Sequence, residues 1–77
     1  MSASGIRIVL IGAAGYLGTV LARRCVENEA EVLGLDIRCP GSNWPTQASF
    51  AIHDVTDSSL ATRLNDFAPD VLVHLAW

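Results

Sequence analysis

The chain is 77 residues long, 51% apolar and 17% charged, with five arginines, no lysine and eight acidic residues for a formal net charge of −3. That balance excludes a disordered class and suits an α/β fold with buried strands. It offers no basic stripe for a nucleic-acid backbone, and no apolar run approaches the roughly 18 residues of a membrane span.

The length fits one small domain, which buries only about 60% of its unfolded surface and has a thin core. The opening residues, Met1 to Gly5, lack the charged and apolar regions of a secretion signal, which predicts a soluble cytoplasmic chain. Ile6 to Ile11 is an apolar, β-branched run, as expected of a strand buried on both faces of a parallel sheet. It stops at Gly12, and Gly15 and Gly18 follow at three-residue intervals. In such a spacing Gly12 allows the sharp exit turn, Gly15 lets a diphosphate approach the main chain, and Gly18 lets the next helix press against the strand. Free N–H groups and the dipole at the helix start then favour an anion.

Leu17, Val20, Leu21 and Cys25 recur at i, i+3, i+4 and i+8, which predicts the apolar face of that helix, with Arg23, Arg24, Glu27 and Asn28 facing water. The second strand, Val32 to Leu35, ends at Asp36, eighteen positions beyond Gly18 and close to the roughly 20 expected for a ribose-binding carboxylate. Asp36 therefore predicts a dinucleotide with a free 2′-hydroxyl, NAD over NADP; the structural alternative is a strand-end acid that caps a turn. Arg38 would reach a 2′-phosphate only if its loop folded back, and is otherwise a solvated loop cation.

Pro40, Gly41, Ser42, Asn43 and Pro45 interrupt both periodicities and predict a surface loop from Ile37 to Gln47. Trp44 within it is read as a lid on the sheet, with stacking on an adenine as the alternative. Ala48 to Ile52 is a short third strand, followed by His53, Asp54 and Val55. Thr56 or Asp57 offers an N-cap, Leu60, Leu64 and Phe67 form the buried stripe of a second helix, and Pro69 marks its end. Asp70 leads into a fourth strand, Val71 to Ala76. Cys25 reads as a small apolar residue on the inner helix face and Cys39 as a loop thiol, both reduced, without a CxxC or His cluster to indicate metal. His53 and His74 read as structural.

Strand, helix, strand, loop, strand, helix, strand with right-handed crossovers gives a Rossmann-like, partial doubly wound parallel sheet in the order 3-2-1-4 with two helices. The ligand crevice then lies at the carboxyl edge between strands 1 and 4.

Four segments together, GAAGYLG with GxxGxxG spacing, Asp36, the pair Asp54 and Val55, and HLA at 74 to 76, resemble the amino-terminal half of an extended short-chain dehydrogenase/reductase, the NAD-dependent epimerase/dehydratase family, over about Arg7 to Ala76. The resemblance implies that Tyr16 and Leu17 lie against the diphosphate, Asp54 and the main chain of Val55 contact the adenine, and Leu75 and Ala76 line the cofactor beside the ribose. Asp54 as a turn cap is the duller alternative, and Trp77 departs from the small residue often found after HLA.

Family members use a catalytic Tyr-x-x-x-Lys. This chain has no lysine and its only tyrosine, Tyr16, lies in the glycine turn, so residues 1–77 are expected to be the amino-terminal part of an NAD(P)-binding Rossmann domain, inactive alone. The leading function is the cofactor-binding segment of an NAD-dependent enzyme acting on a nucleotide sugar or similar hydroxylated substrate. The alternative is a non-catalytic NAD(P)-sensing module. The fourth strand would be an open apolar edge, for which a second copy of the chain is one cover.

Overall fold

Four successive residues with branched apolar side chains, Ile8 to Ile11, packed alternately into two cores, make β1 (Arg7–Ile11) the centre of the molecule. A computed structural model describes residues 5–53 and 59–75. After β1 come α1 (Tyr16–Glu27), β2 (Glu31–Asp36), β3 (Ser49–Ile52), α2 (Leu60–Phe67) and β4 (Val71–His74). The strands form one parallel sheet in the order β3-β2-β1-β4, with Ile8 opposite Val32 on one side and Val71 on the other. The order matches the expectation from right-handed crossovers.

Because side chains alternate along a strand, β1 feeds two cores. Leu10 joins Ala13, Ala22, Ala30, Val32 and Ala48 beneath α1, while Val9 and Ile11 join Leu33 and Leu35 beneath α2. Leu60, Leu64 and Phe67 pack on that second core, as the helical spacing predicted, although none of them is fully buried. The helix ends where the chain turns left-handed at Ala68 (φ 54°), immediately before Pro69. Arg7 ties the lower edge together: its guanidinium lies 4.5 Å from the centre of the Phe67 ring and 3.1 Å from Glu31, and its N–H donates to Asp70 Oδ2 at 2.9 Å.

The helix α1 differs from expectation in its face. The buried face of α1 is Gly18 and Ala22, flanked by Leu21, Cys25 and Val26; Leu17 and Val20 are 56% and 39% exposed. The cause is steric. A Cβ on Gly18 would overlap the carbonyl oxygen of Ala13 and lie 2.6 Å from its Cα, so the helix rolls its smallest residues onto the turn and carries Leu17 and Val20 outward. Gly18 thus permits close contact with the turn that leaves β1. Asn28 is half-buried instead of facing water, and its amide donates to the Arg24 carbonyl at 2.8 Å.

The 37–47 segment is a loop as predicted, and its Trp44 packs on the core that lies beneath α1. Trp44 is a lid: a Cβ on Gly34 would lie 2.5 Å from its Cη2, its ring meets Phe50 edge-on at 5.1 Å, and Nε1 donates to the Ala48 carbonyl at 3.0 Å. β4 closes at His74, short of the predicted Ala76. Asp54, Val55, Thr56, Asp57, Ala76 and Trp77 lie outside the described residues.

Candidate functional site

The carboxyl ends of β1, β2 and β4 converge on the glycine turn. Gly12 takes φ 82°, the left-handed region that costs an L-residue roughly 1–2 kcal/mol. That conformation turns its N–H and the Ala13 N–H onto the same Leu35 carbonyl, at 2.8 and 3.2 Å, locking the turn to the end of β2. On the other side the Leu75 N–H reaches the Ile11 carbonyl at 2.7 Å, which places Leu75 beside the turn at the gap between β1 and β4.

Gly15 is the N-cap of α1, with extended backbone (φ −78°, ψ 177°) that any residue adopts, so conformation alone does not demand glycine there. Space is the better reason. A Cβ at Gly15 would meet nothing closer than Arg38 Nη2 at 4.0 Å, so the main chain is open on that side. With no side-chain cap and no acid in the first turn of α1, no side chain among the described residues competes with an incoming anion for those N–H groups. Tyr16 is 86% exposed, and Leu17 stands outward beside it. A cleft of about 470 Å³ opens there, lined by Ala14, Gly15, Tyr16, Thr19, Arg23 and Asn43 among others. These residues fit a diphosphate: open backbone at Gly15 and a first turn of α1 that carries no acidic side chain.

Asp36 is the one charged residue buried among those described, 7% exposed. Oδ2 accepts the Ala14 N–H at 3.0 Å, Oδ1 accepts the Arg38 N–H at 3.2 Å, and Arg38 Nε stands 3.7 Å from Oδ1. Burial alone would push this carboxyl up. The N–H groups of Ala14, Arg38 and Ile37 together with the Arg38 guanidinium outweigh it and hold the pKa below the ordinary carboxylate value. A carboxylate has about four acceptor directions, so these three main-chain groups leave room for a ribose hydroxyl. The capping role and the ligand role thus coexist in one side chain.

Of the predicted site residues, Gly12, Gly15, Tyr16, Leu17, Gly18, Asp36 and Leu75 are brought to one edge, while Asp54, Val55 and Ala76 fall outside the described residues. The bond from Ala14 to Asp36 has no local sequence signal because it joins the glycine turn to the end of β2 across 22 residues, and the position of the Arg38 side chain has none because it depends on the chain leaving β2. A groove of about 540 Å³ on the opposite face, bordered by Arg7, His53, Arg63 and Phe67, stands away from the turn. It is wide and open, and its arginine at β1 is already engaged by Glu31 and Phe67.

The sequence profile of the NAD dependent epimerase/dehydratase family matches residues 8–77. An uncharacterized epimerase/dehydratase of Staphylococcus aureus (strain USA300) is 40% identical over 74 residues, covering 91% of this chain and 23% of that protein. An uncharacterized protein of Mycobacterium tuberculosis (strain ATCC 25618 / H37Rv) is 37% identical over 71 residues, 92% of this chain and 8% of its own length. Among solved structures, the Bordetella bronchiseptica enzyme WbmG in complex with NAD superposes with a TM-score of 0.81 at 32% identity, over 96% of this chain and 26% of that one. The UDP-glucose 4-epimerase of Thermotoga maritima with UDP-glucose gives 0.81 at 26% identity, over 92% and 24%. The chain spans about a quarter or less of the length of each of these relatives.

Proposed function

As a member of the NAD-dependent epimerase/dehydratase family, the chain is, we propose, the NAD-binding segment of an oxidoreductase that acts on a nucleotide sugar or a similar hydroxylated substrate. Gly12, Gly15, Tyr16, Leu17 and Gly18 hold the diphosphate, and Asp36 accepts from the hydroxyls of the adenosine ribose. The family resemblance assigns the adenine to Asp54 and the main chain of Val55, and the side of the ribose to Leu75 and Ala76. When bound, NAD supplies a hydride acceptor. The residues of this chain bind and orient it; they hold no tyrosine and lysine pair for proton transfer.

The observation that carries this reading is the Ala14 N–H bonded to Asp36 Oδ2 at 3.0 Å across a separation of 22 residues. It brings the acid to the rim of the glycine turn, the arrangement that reads a diphosphate and a ribose at once. The similarity to WbmG, solved with NAD, and to an epimerase solved with UDP-glucose supports the cofactor and the substrate class.

Gly15→Val tests it. The backbone there suits any residue and the added Cβ meets nothing closer than Arg38 Nη2 at 4.0 Å, so the fold should survive. Isothermal titration of the chain with NAD should show affinity falling at least about tenfold in the variant, equivalent to roughly 1.4 kcal/mol. Equal affinity in both proteins would remove the cradle from the account.

A further inference from the structure

The cleft beside Gly15 has two walls that come from different parts of the chain. One is a face of α1. Tyr16, Thr19, Val20 and Arg23 recur at three- and four-residue intervals, so the helix presents them on one side. The other wall is the tip of the 37–47 loop, which contributes Gly41 and Asn43. That tip is a turn closed by the Trp44 N–H on the Gly41 carbonyl at 3.2 Å, and residues 41 to 43 are exposed. A Cβ at Gly41 would meet nothing within 4 Å among the described residues, so no packing holds the tip at that point.

Arg23 joins the two walls. Its Nε donates to the main-chain carbonyl of Asn43 at 2.9 Å, across 20 residues of chain. The donor is charged, which makes the bond stronger than one between neutral groups. Arg23 stands seven residues past Tyr16, roughly 10 Å down the helix axis from the end that faces a diphosphate. With Nε already engaged by the loop, this geometry suits a strap between the walls more than a ligand to the phosphates. Backbone that is mobile before a ligand arrives has to be ordered on binding, and that cost lowers affinity. A tip fastened in the free protein is ordered in advance.

Resting on the dinucleotide reading of the turn, we propose that Arg23 is a positioning residue for NAD. It holds the tip of the 37–47 loop against α1 and so keeps the cleft formed before the cofactor enters.

Arg23→Ala tests this through two readouts, loop order in the free chain and affinity for NAD. Arg23 is exposed, so the variant should fold, which circular dichroism checks. Amide nitrogen relaxation should report faster motion at Gly41, Ser42 and Asn43 in the variant, with β1 unchanged. Calorimetric affinity for NAD should fall about three- to tenfold, by the same factor at low and high salt, because the strap is a bond within the protein. Arg24→Ala removes the same charge one residue along, where the partner is Glu27 at 3.8 Å, and should stay within about twofold of the parent chain. The inference falls, and the dinucleotide reading stands, if the tip is as ordered in Arg23→Ala as in the parent or if it loosens while affinity is unchanged. The same holds if the loss shrinks in salt or is matched by Arg24→Ala, since the arginine then acts through its charge. If the parent chain does not bind NAD, the dinucleotide reading itself fails and takes the inference with it.

Discussion

Gly18 and Gly15 lie one helical turn apart and are glycine for different reasons, which substitution separates. Gly18→Ala drives a methyl into the Ala13 backbone, so it should cost about 1–3 kcal/mol and lower the thermal midpoint measurably. Gly15→Ala enters open space and should change stability by no more than about 0.5 kcal/mol. Asp36 adds a pH dependence whose sign follows from its lowered pKa. The unfolded chain takes up the proton first as pH falls, so the stabilisation is present above about pH 4 and lost as pH falls through the folded value. Urea midpoints measured between pH 7 and pH 3 should show this loss, and Asp36→Asn should flatten that part of the curve. The glycine positions and Asp36 were legible in the sequence because their roles are steric and electrostatic at fixed spacing. The position of the Arg38 side chain was not, since it depends on the chain leaving β2.

At the scale of elements, α1 was legible in extent but not in rotation. Hydrophobic spacing pointed to Leu17 and Val20, yet the closest approach is made by Gly18 and Ala22, because proximity to Ala13 outweighs side-chain size in choosing the face. Cys25 lies on the inner side, where burial pushes its thiol up, while Cys39 is exposed in the loop. An aromatic disulfide reagent should therefore modify one thiol rapidly, identified as Cys39 by peptide mapping, and reach Cys25 only when denaturant is added. The 37–47 loop depends on one aromatic. Trp44→Ala removes its packing on Gly34 and Phe50 and its bond to Ala48, and should cost toward the lower end of the roughly 3–5 kcal/mol seen for large aromatic truncations. Denaturant unfolding would read that loss. Phe67, stacked on Arg7, plays the equivalent part for α2.

The molecule as a whole is a sheet that is well covered at β1 and β2 and thinly covered at its margins. Val9, Leu10, Val32 and Leu35 are essentially buried, whereas Val71 and Leu72 of β4 are each 45% exposed and α2 has no buried residue. Amide exchange should accordingly be slowest in β1 and β2 and fastest in α2 and β4. The strand order was legible because parallel crossovers have one hand, and the element sequence leaves little choice. The site follows from that order, since it brings the Gly12 turn, Asp36 and Leu75 to a single edge. The most direct measurement is a titration of the isotope-labelled chain with NAD, followed by amide resonances. The largest shifts should fall on Ala14, Gly15, Tyr16, Leu17 and Arg38, with the far ends of β1 and β2 unmoved. Shifts clustered instead around Arg7, Arg63 and Phe67, or none at saturating NAD, would contradict the dinucleotide reading of the turn.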